Sequence, residues 1–341
     1  MAITRIGNPA IADQRGVNFR NIIINGGMDV AQRGTSASSV TATGYNTCDR
    51  FKNIISSLGT WTVSQSTDVP SGQGFSTSLK MDCTTADASP SASDFNIIGQ
   101  LIEGQNLQYL KKGTSSSESL TLSFWVKATK TGTNICELYD VDNTRQISKS
   151  YTINSADTWE KKTLTFSGDT TGAFGNDNGV SLQLHFFLGA GSDRTSGTLN
   201  TSWNSVTTAN RAVGQVNHAD STSNEWYVTG VQLETGQVAS DFEFLPHDVN
   251  LRRCERYFEK FNETTGYHTF LRGQTNESSL SSVDIFFKQT MRATPSVTLT
   301  STSNYTVENI SIYKKGFCSF GTPTSSTNTA RINGYEASAE L

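Results

Sequence analysis

Charge and apolar residues are both scarce in this chain of 341 residues: Asp, Glu, Lys and Arg make up 17% of it and hydrophobic residues 35%. Ser, Thr, Asn and Gly fill the gap, which favours many strands joined by polar turns over long helices. The net charge of −4 comes without a basic stripe, which argues against nucleic acid as a partner. No apolar run approaches the length that spans a bilayer, so no membrane insertion is expected. The N-terminal run Met1–Gly16 lacks the charged and apolar regions of a signal peptide, pointing to manufacture in a cytoplasm.

Reactive groups are also few. The five cysteines, Cys48, Cys83, Cys136, Cys254 and Cys318, are odd in number and irregularly spaced. They read as buried thiols, not as a disulfide frame or a zinc site. The four histidines, His185, His218, His247 and His268, fall in no HxxxH, CxxC or nucleophile-elbow context. His185, between Leu184 and Phe186, reads as a strand-face residue. Nothing singles out a carboxylate pair for glycoside hydrolysis, so no catalytic residue is assigned and the chain is not expected to be an enzyme. Asp140-Val-Asp-Asn143 offers the oxygens that calcium prefers but lacks the rest of a calcium loop. It reads as a solvated turn. No cofactor and no metal ligand are assigned, although a sandwich of this kind can hold a structural Ca²⁺ that these residues do not place.

What the chain does have is alternation. Leu120, Leu122, Phe124 and Val126 alternate inward, and Ser78–Cys83, Lys162–Phe166 and Ser181–Leu188 supply further strands between polar turns. Asn21-Ile-Ile-Ile-Asn25 is predicted as the first strand. Ile97–Glu103 is predicted as a strand followed by a helical turn near Leu107–Leu110. No period of repetition appears, which argues against a solenoid. The fold expected is mainly β: a jelly-roll β-sandwich, one short connecting helix, and a small C-terminal β domain. The boundaries are 1–20 for an arm, 21–245 for the sandwich, 246–262 for the helix and 263–341 for the tail, with strands among others at Tyr267–Leu271, Ser282–Phe287, Ser296–Thr300 and Glu308–Tyr313.

The helix is predicted from Leu251, Cys254, Tyr257, Phe258 and Phe261, which share one stripe, with charged residues opposite and Asp248 or Asn250 as cap. The stripe is core or subunit interface. Among the aromatics, Trp125 and Trp159 are assigned to sheet packing. Trp203, in the long polar loop Gly189–Gln215, is the leading ligand-binding candidate, with Trp61 beside it. A plug over the sandwich is the competing reading for Trp203.

Gly230-Val-Gln-Leu-Glu234 followed by Cys254-Glu-Arg-Tyr257 resembles a segment of bacteriophage tail-fibre and related virion-surface proteins. Asn21–Gly26, Gln32-Arg-Gly34, Cys48-Asp-Arg-Phe51 and Ser123-Phe-Trp-Val-Lys127 match in the same order. The resemblance covers about Asn21–Phe261. It implies a jelly roll like that of carbohydrate-binding modules, in a virion structural protein of a tail fibre or head-attached fibre, with host-surface glycan as a ligand. It also implies a homotrimer, with Leu251, Tyr257, Phe258 and Phe261 near the subunit interface. The arm, through Arg5, Arg15 and Arg20, would then bind other virion proteins. The rival readings are a tailspike-type polysaccharide depolymerase and a cellular carbohydrate-binding module.

Overall fold

The computed structural model describes residues 19–262, 281–324 and 331–341. Leu122, Phe124 and Val126 are fully buried, and the strand that carries them lies inside a two-layer sandwich. In chain order the strands of this sandwich are β1 (Ser36–Val40), β2 (Gly44–Tyr45), β3 (Lys52–Ser56), β4 (Thr60–Ser66), β5 (Ser78–Thr85), β6 (Phe95–Glu103), β7 (Leu120–Ala128), β8 (Gly132–Asp140), β9 (Arg145–Ile153), β10 (Glu160–Phe166), β11 (Val180–Ala190), β12 (Asn204–Ser205) and β13 (Glu225–Thr235). The first sheet has the order β1-β4-β5-β13-β7-β10 and the second β12-β9-β8-β11-β6-β3-β2. Their pairings are all antiparallel. The jelly-roll-like, mainly β fold is as expected.

The two sheets close over aromatic contacts. Phe124 of the first sheet lies 5.0 Å from Phe186 and 5.1 Å from Tyr151 of the second, both edge-on, and Trp226 reaches Phe186 at 5.9 Å. Burying such rings, at ~1.5–3 kcal/mol for a large apolar side chain, lets so polar a chain hold together. The helical turn expected after β6 is present as two 3-10 turns, Gly104–Asn106 and Gln108–Leu110.

Asn21–Asn25 is a turn and not a strand. Its asparagine side chains take the place of ladder bonds: Asn21 donates to Val231 O at 3.0 Å and accepts from Leu233 N at 3.1 Å. Asn25 donates to Val30 O at 2.9 Å and Asp49 O at 3.0 Å. Apolar content alone read as a strand, but the flanking amides bond backbone groups instead, Asn21 on the distant β13 and Asn25 nearer by.

The helix also ends sooner than its stripe predicts. After a single turn, α1 (Ser192–Thr195), the connecting helix α2 spans His247–Glu255, and Phe258–Asn262 is already a strand, β14. No side chain caps α2; Pro246 precedes it, and Asn250 turns inward to bond Asn25 at 3.2 Å in both directions. The tail adds β15 (Ser281–Phe286), β16 (Ser296–Ser303), β17 (Tyr305–Tyr313), β18 (Gly316–Pro323) and β19 (Arg331–Ser338). These form the sheets β14-β19-β16 and β15-β18-β17. Phe258 pairs with Ser338 and Asn262 with Gly334, so a long-range ladder overrides the helical period. The predicted strand at Tyr267–Leu271 lies outside the described residues.

Candidate functional site

Because Phe124 and Val126 point into the core, Ser123, Trp125 and Lys127 of β7 point away from it. Across the first sheet, Trp125 stands opposite Lys161 of β10 and Thr229 of β13, and Lys127 stands opposite Tyr227. Trp125 is half-buried and lines a cleft of about 310 Å³. The far wall of that cleft is a trio of rings: Phe75 lies 5.0 Å from Phe242 and 5.2 Å from Phe244, which are 4.9 Å from each other. Phe244 is 55% exposed. Gln73, Lys161 and Asp241 add an amide, an ammonium and a carboxylate to the lining.

Two glycines seat this trio. Gly230 sits at φ +61° where the β13–β7 register shifts, and a Cβ there would lie 2.5 Å from the Phe75 ring. Gly74, at φ +84°, would place a Cβ 3.1 Å from Phe244. The extended alternation Phe242-Glu-Phe244 turns Glu243 the other way. Its carboxylate accepts the backbone N–H of Arg20 at 3.3 Å and of Asn21 at 3.0 Å, and its own N–H donates to Gln232 Oε1 at 2.8 Å. The Gly230–Glu234 motif therefore anchors the ring-bearing segment.

The face continues beyond Trp125. Trp159 and Tyr227 are 6.1 Å apart edge-on, and Lys127 Nζ lies 4.3 Å from the Tyr227 ring centre. Trp159 Nε1 donates to Asp68 at 2.9 Å, and Lys127 pairs with the same carboxylate. Burial raises the Asp68 pKa, but the bonds from Lys127 and Trp159 outweigh it and hold the group below the usual carboxylate range. Tyr227 OH donates to Glu225 at 2.5 Å, and Lys80 bonds Glu225 at 2.6 Å. Burial and the adjacent Glu225 push the Tyr227 phenol up, so it stays protonated. Aromatic faces edged by hydroxyl, amide and charged groups can stack on a sugar ring and bond its hydroxyls.

The residues singled out from sequence are placed elsewhere. Trp61 is fully buried in the sandwich core and donates to Leu58 O at 2.8 Å, so it cannot meet a ligand. Trp203 is half-buried, donates to Ser167 O at 2.8 Å and lies 5.5 Å from Lys112 Nζ. The space beside it is about 10 Å³, room for one water at most. Trp203 is a plug. The interface reading of the helix stripe is corrected in the same way: Tyr257 and Phe258 are 1% and 3% exposed within a single chain. Leu251 packs on Ile24, Val30 and Cys254, and Phe261 stacks on Tyr335 at 6.0 Å. Arg5 and Arg15 lie outside the described residues; Arg20 is tied to the sandwich through Asp241 O at 2.5 Å.

Asp140 receives the buried Lys112 ammonium at 2.5 Å and the Asn143 amide at 2.9 Å, which makes it an ion-pair acceptor and not a calcium ligand. Among the described residues no group of three or more His, Cys, Asp or Glu is arranged around a metal position. His185 is buried and bonds Glu137 at 2.9 Å, while Arg211 holds the same carboxylate at 2.9 and 2.6 Å. All five cysteines are free thiols, four of them buried.

Sequence reasoning missed Trp125, although its parity opposite Phe124 already turned it outward. It had no way to join Phe75 to Phe242 and Phe244, which come together only through the first sheet.

No family model matches this chain, and no curated protein matches it. Among solved structures, it is similar to the enzymatically active domain of bacteriophage CBA120 tailspike protein 4, at 16% identity and TM-score 0.33, over 64% of this chain and 22% of that one. It is likewise similar to a CBM4 structure at 14% identity and TM-score 0.32, over 62% of this chain and 98% of the other. A third is TmCBM61 in complex with β-1,4-galactotriose, at 9% identity and TM-score 0.31, over 64% and 99%. At these scores none of them assigns a ligand or an activity to this chain.

Proposed function

We propose that this protein is a glycan-binding structural component of a virion surface fibre, and that it binds sugar along the outward face of its first sheet. The observation that carries the binding reading is the outward, half-buried Trp125 at a cleft walled by Phe75, Phe242 and Phe244, with the half-buried Trp159 on the same sheet face and Tyr227, 6% exposed, packed edge-on against it. The virion setting, the homotrimer and attachment through residues 1–20 rest on the resemblance of the motif blocks to tail-fibre proteins. The reading is one of binding without turnover: among the described residues Asp241 is the one carboxylate lining the cleft, whereas glycoside hydrolysis ordinarily needs two.

The test is retention of the protein on immobilised host-surface polysaccharides and on an array of neutral oligosaccharides. Trp125→Ala and Phe244→Ala are each expected to weaken binding by ~5–30-fold, as loss of ~1–2 kcal/mol of stacking requires. Trp203→Ala should bind like the parent. Equal binding by the parent and Trp125→Ala would refute the assigned face. Release of reducing ends from the polysaccharide would move the protein to the depolymerase class.

A further inference from the structure

A second cavity, of about 500 Å³, lies between β6, the Asn21–Ile24 turn and the end of α2. Among the described residues its lining contains two guanidinium groups, Arg253 and Arg256, and no carboxylate. Arg256 is committed to the buried Glu103, with bonds of 2.9 and 2.8 Å. Arg253 is not. It is half-buried, donates one long bond to Asn21 O at 3.4 Å, lies 5.9 Å from the centre of the Phe19 ring and makes no ion pair with any described carboxylate. Glu243, the acidic group near it, is occupied by the Arg20 and Asn21 amides. Burial lowers the Arg253 pKa, the direction expected of a cation short of partners. A guanidinium carries five donors in a planar fork that matches a carboxylate.

The other groups around this charge are those of a sugar site. Phe19 and Tyr109, 58% and 49% exposed, line the same cavity. Gln105 and Asn106 bring amide side chains suited to hydroxyl groups. The volume falls within the ~300–1,000 Å³ of small-molecule sites. One guanidinium without a carboxylate partner among the described residues suits a monoanion.

We propose that this cavity is a second ligand site, which takes a carboxylate-bearing pyranose of the hexuronic acid class: Arg253 pairs with the carboxylate and Phe19 and Tyr109 flank the ring. The site is independent of the neutral-sugar face on the first sheet.

Calorimetry and saturation-transfer NMR on the full chain test this, with galacturonate and glucuronate as probes. Galactose, acetate and inorganic phosphate are the controls. In a Trp125→Ala background, where the first-sheet face is weakened, a uronate is expected to bind saturably and galactose not at all at the same concentration. Arg253→Gln should weaken the uronate by ~10-fold or more, as loss of a charge-assisted bond does, and Tyr109→Ala by a smaller factor. Trp125→Ala should leave uronate binding intact, so failure of this site and failure of the first-sheet face are read separately. The proposal is overturned if neither uronate binds, if galactose binds as well as galacturonate, or if phosphate binds more tightly than either uronate. Unchanged binding by Arg253→Gln also overturns it. Should Arg253→Gln melt early, Tyr109→Ala decides: its ring is half-exposed at the rim, and undiminished binding there is equally fatal.

Discussion

The guanidinium carbon of Arg50 lies 3.5 Å from the centre of the Tyr257 ring, joining the Cys48–Phe51 block to the end of α2. Arg50 is 1% exposed, pairs with Glu340 and donates to Leu101 O at 2.7 Å. Arg33 repeats the arrangement over Phe258 at 3.6 Å and reaches Glu340 at 3.2 Å. The blocks that carry the resemblance to fibre proteins are thus a buried clamp between sandwich and tail.

Breaking this clamp on one side should be costly. Arg50→Ala leaves Glu340 with Arg33 alone and Leu101 O without its donor, and is expected to lose ~1–3 kcal/mol in urea unfolding; removing Arg33 as well should cost more, because Glu340 then has neither guanidinium. Tyr257→Asp should fail to fold, and not merely dissociate a folded oligomer, because it buries an unpaired charge. A well-folded Tyr257→Asp monomer would return the stripe to a subunit interface.

Gly230 gives a sharper test, because two effects coincide there. Its φ of +61° disfavours any side chain, and the Phe75 ring occupies the space of a Cβ. Gly230→Ala is expected to destabilise by ~1–3 kcal/mol and, by displacing Phe75, to weaken sugar binding as well. Gly236, at φ +109° with nothing within 4 Å of its would-be Cβ, is the control. Gly236→Ala should cost stability through strain and leave binding alone.

Acid should weaken the fold through two buried histidines and one carboxylate. Burial pulls the His218 pKa down to about 3 and lowers that of His185. Glu137, although burial raises it, is held at about 2 by Arg211 and His185. A histidine kept neutral in the fold is protonated first in the unfolded chain, so its contribution is present above pH ~6.5 and is lost as the pH falls. Glu137 contributes above the usual carboxylate range and is lost toward pH 2. Unfolding free energy should therefore be level near pH 7–8 and drop below pH ~6.5, by up to ~1.4 kcal/mol per pH unit for each fully linked group. His218→Gln should flatten the drop between pH 6.5 and pH 3; an unchanged profile would show that His218 is accessible to protons in the fold.

Much of the sandwich was legible because the inner faces of β7 and β11 alternate without interruption. The helix was legible through Leu251 and Cys254 but not its end: Tyr257, Phe258 and Phe261 fit a helical stripe, yet the helix stops at Glu255 and pairing with β19 makes Phe258–Asn262 a strand. Trp61 and Trp203 were misplaced for a related reason, since burial of a tryptophan depends on partners distant in sequence. Trp125 was the opposite case, where local alternation held the answer and its surroundings did not.

Arg20 separates the two roles that the N-terminal segment has been given. It was grouped with Arg5 and Arg15 as an attachment residue, yet its guanidinium bonds Asp241 O, and its backbone N–H reaches Glu243, directly behind Phe242 and Phe244. Its Nε also lies 3.8 Å from the buried Glu234, too far for a hydrogen bond. Arg20→Ala should therefore loosen the ring-bearing segment, costing ~1 kcal/mol of stability for a lost hydrogen bond and weakening glycan retention several-fold. Arg5→Ala combined with Arg15→Ala should leave both quantities unchanged and reduce incorporation into particles. If Arg20→Ala binds glycan normally but no longer incorporates, Arg20 belongs with the attachment arm, and the Phe242–Phe244 segment holds its place without it.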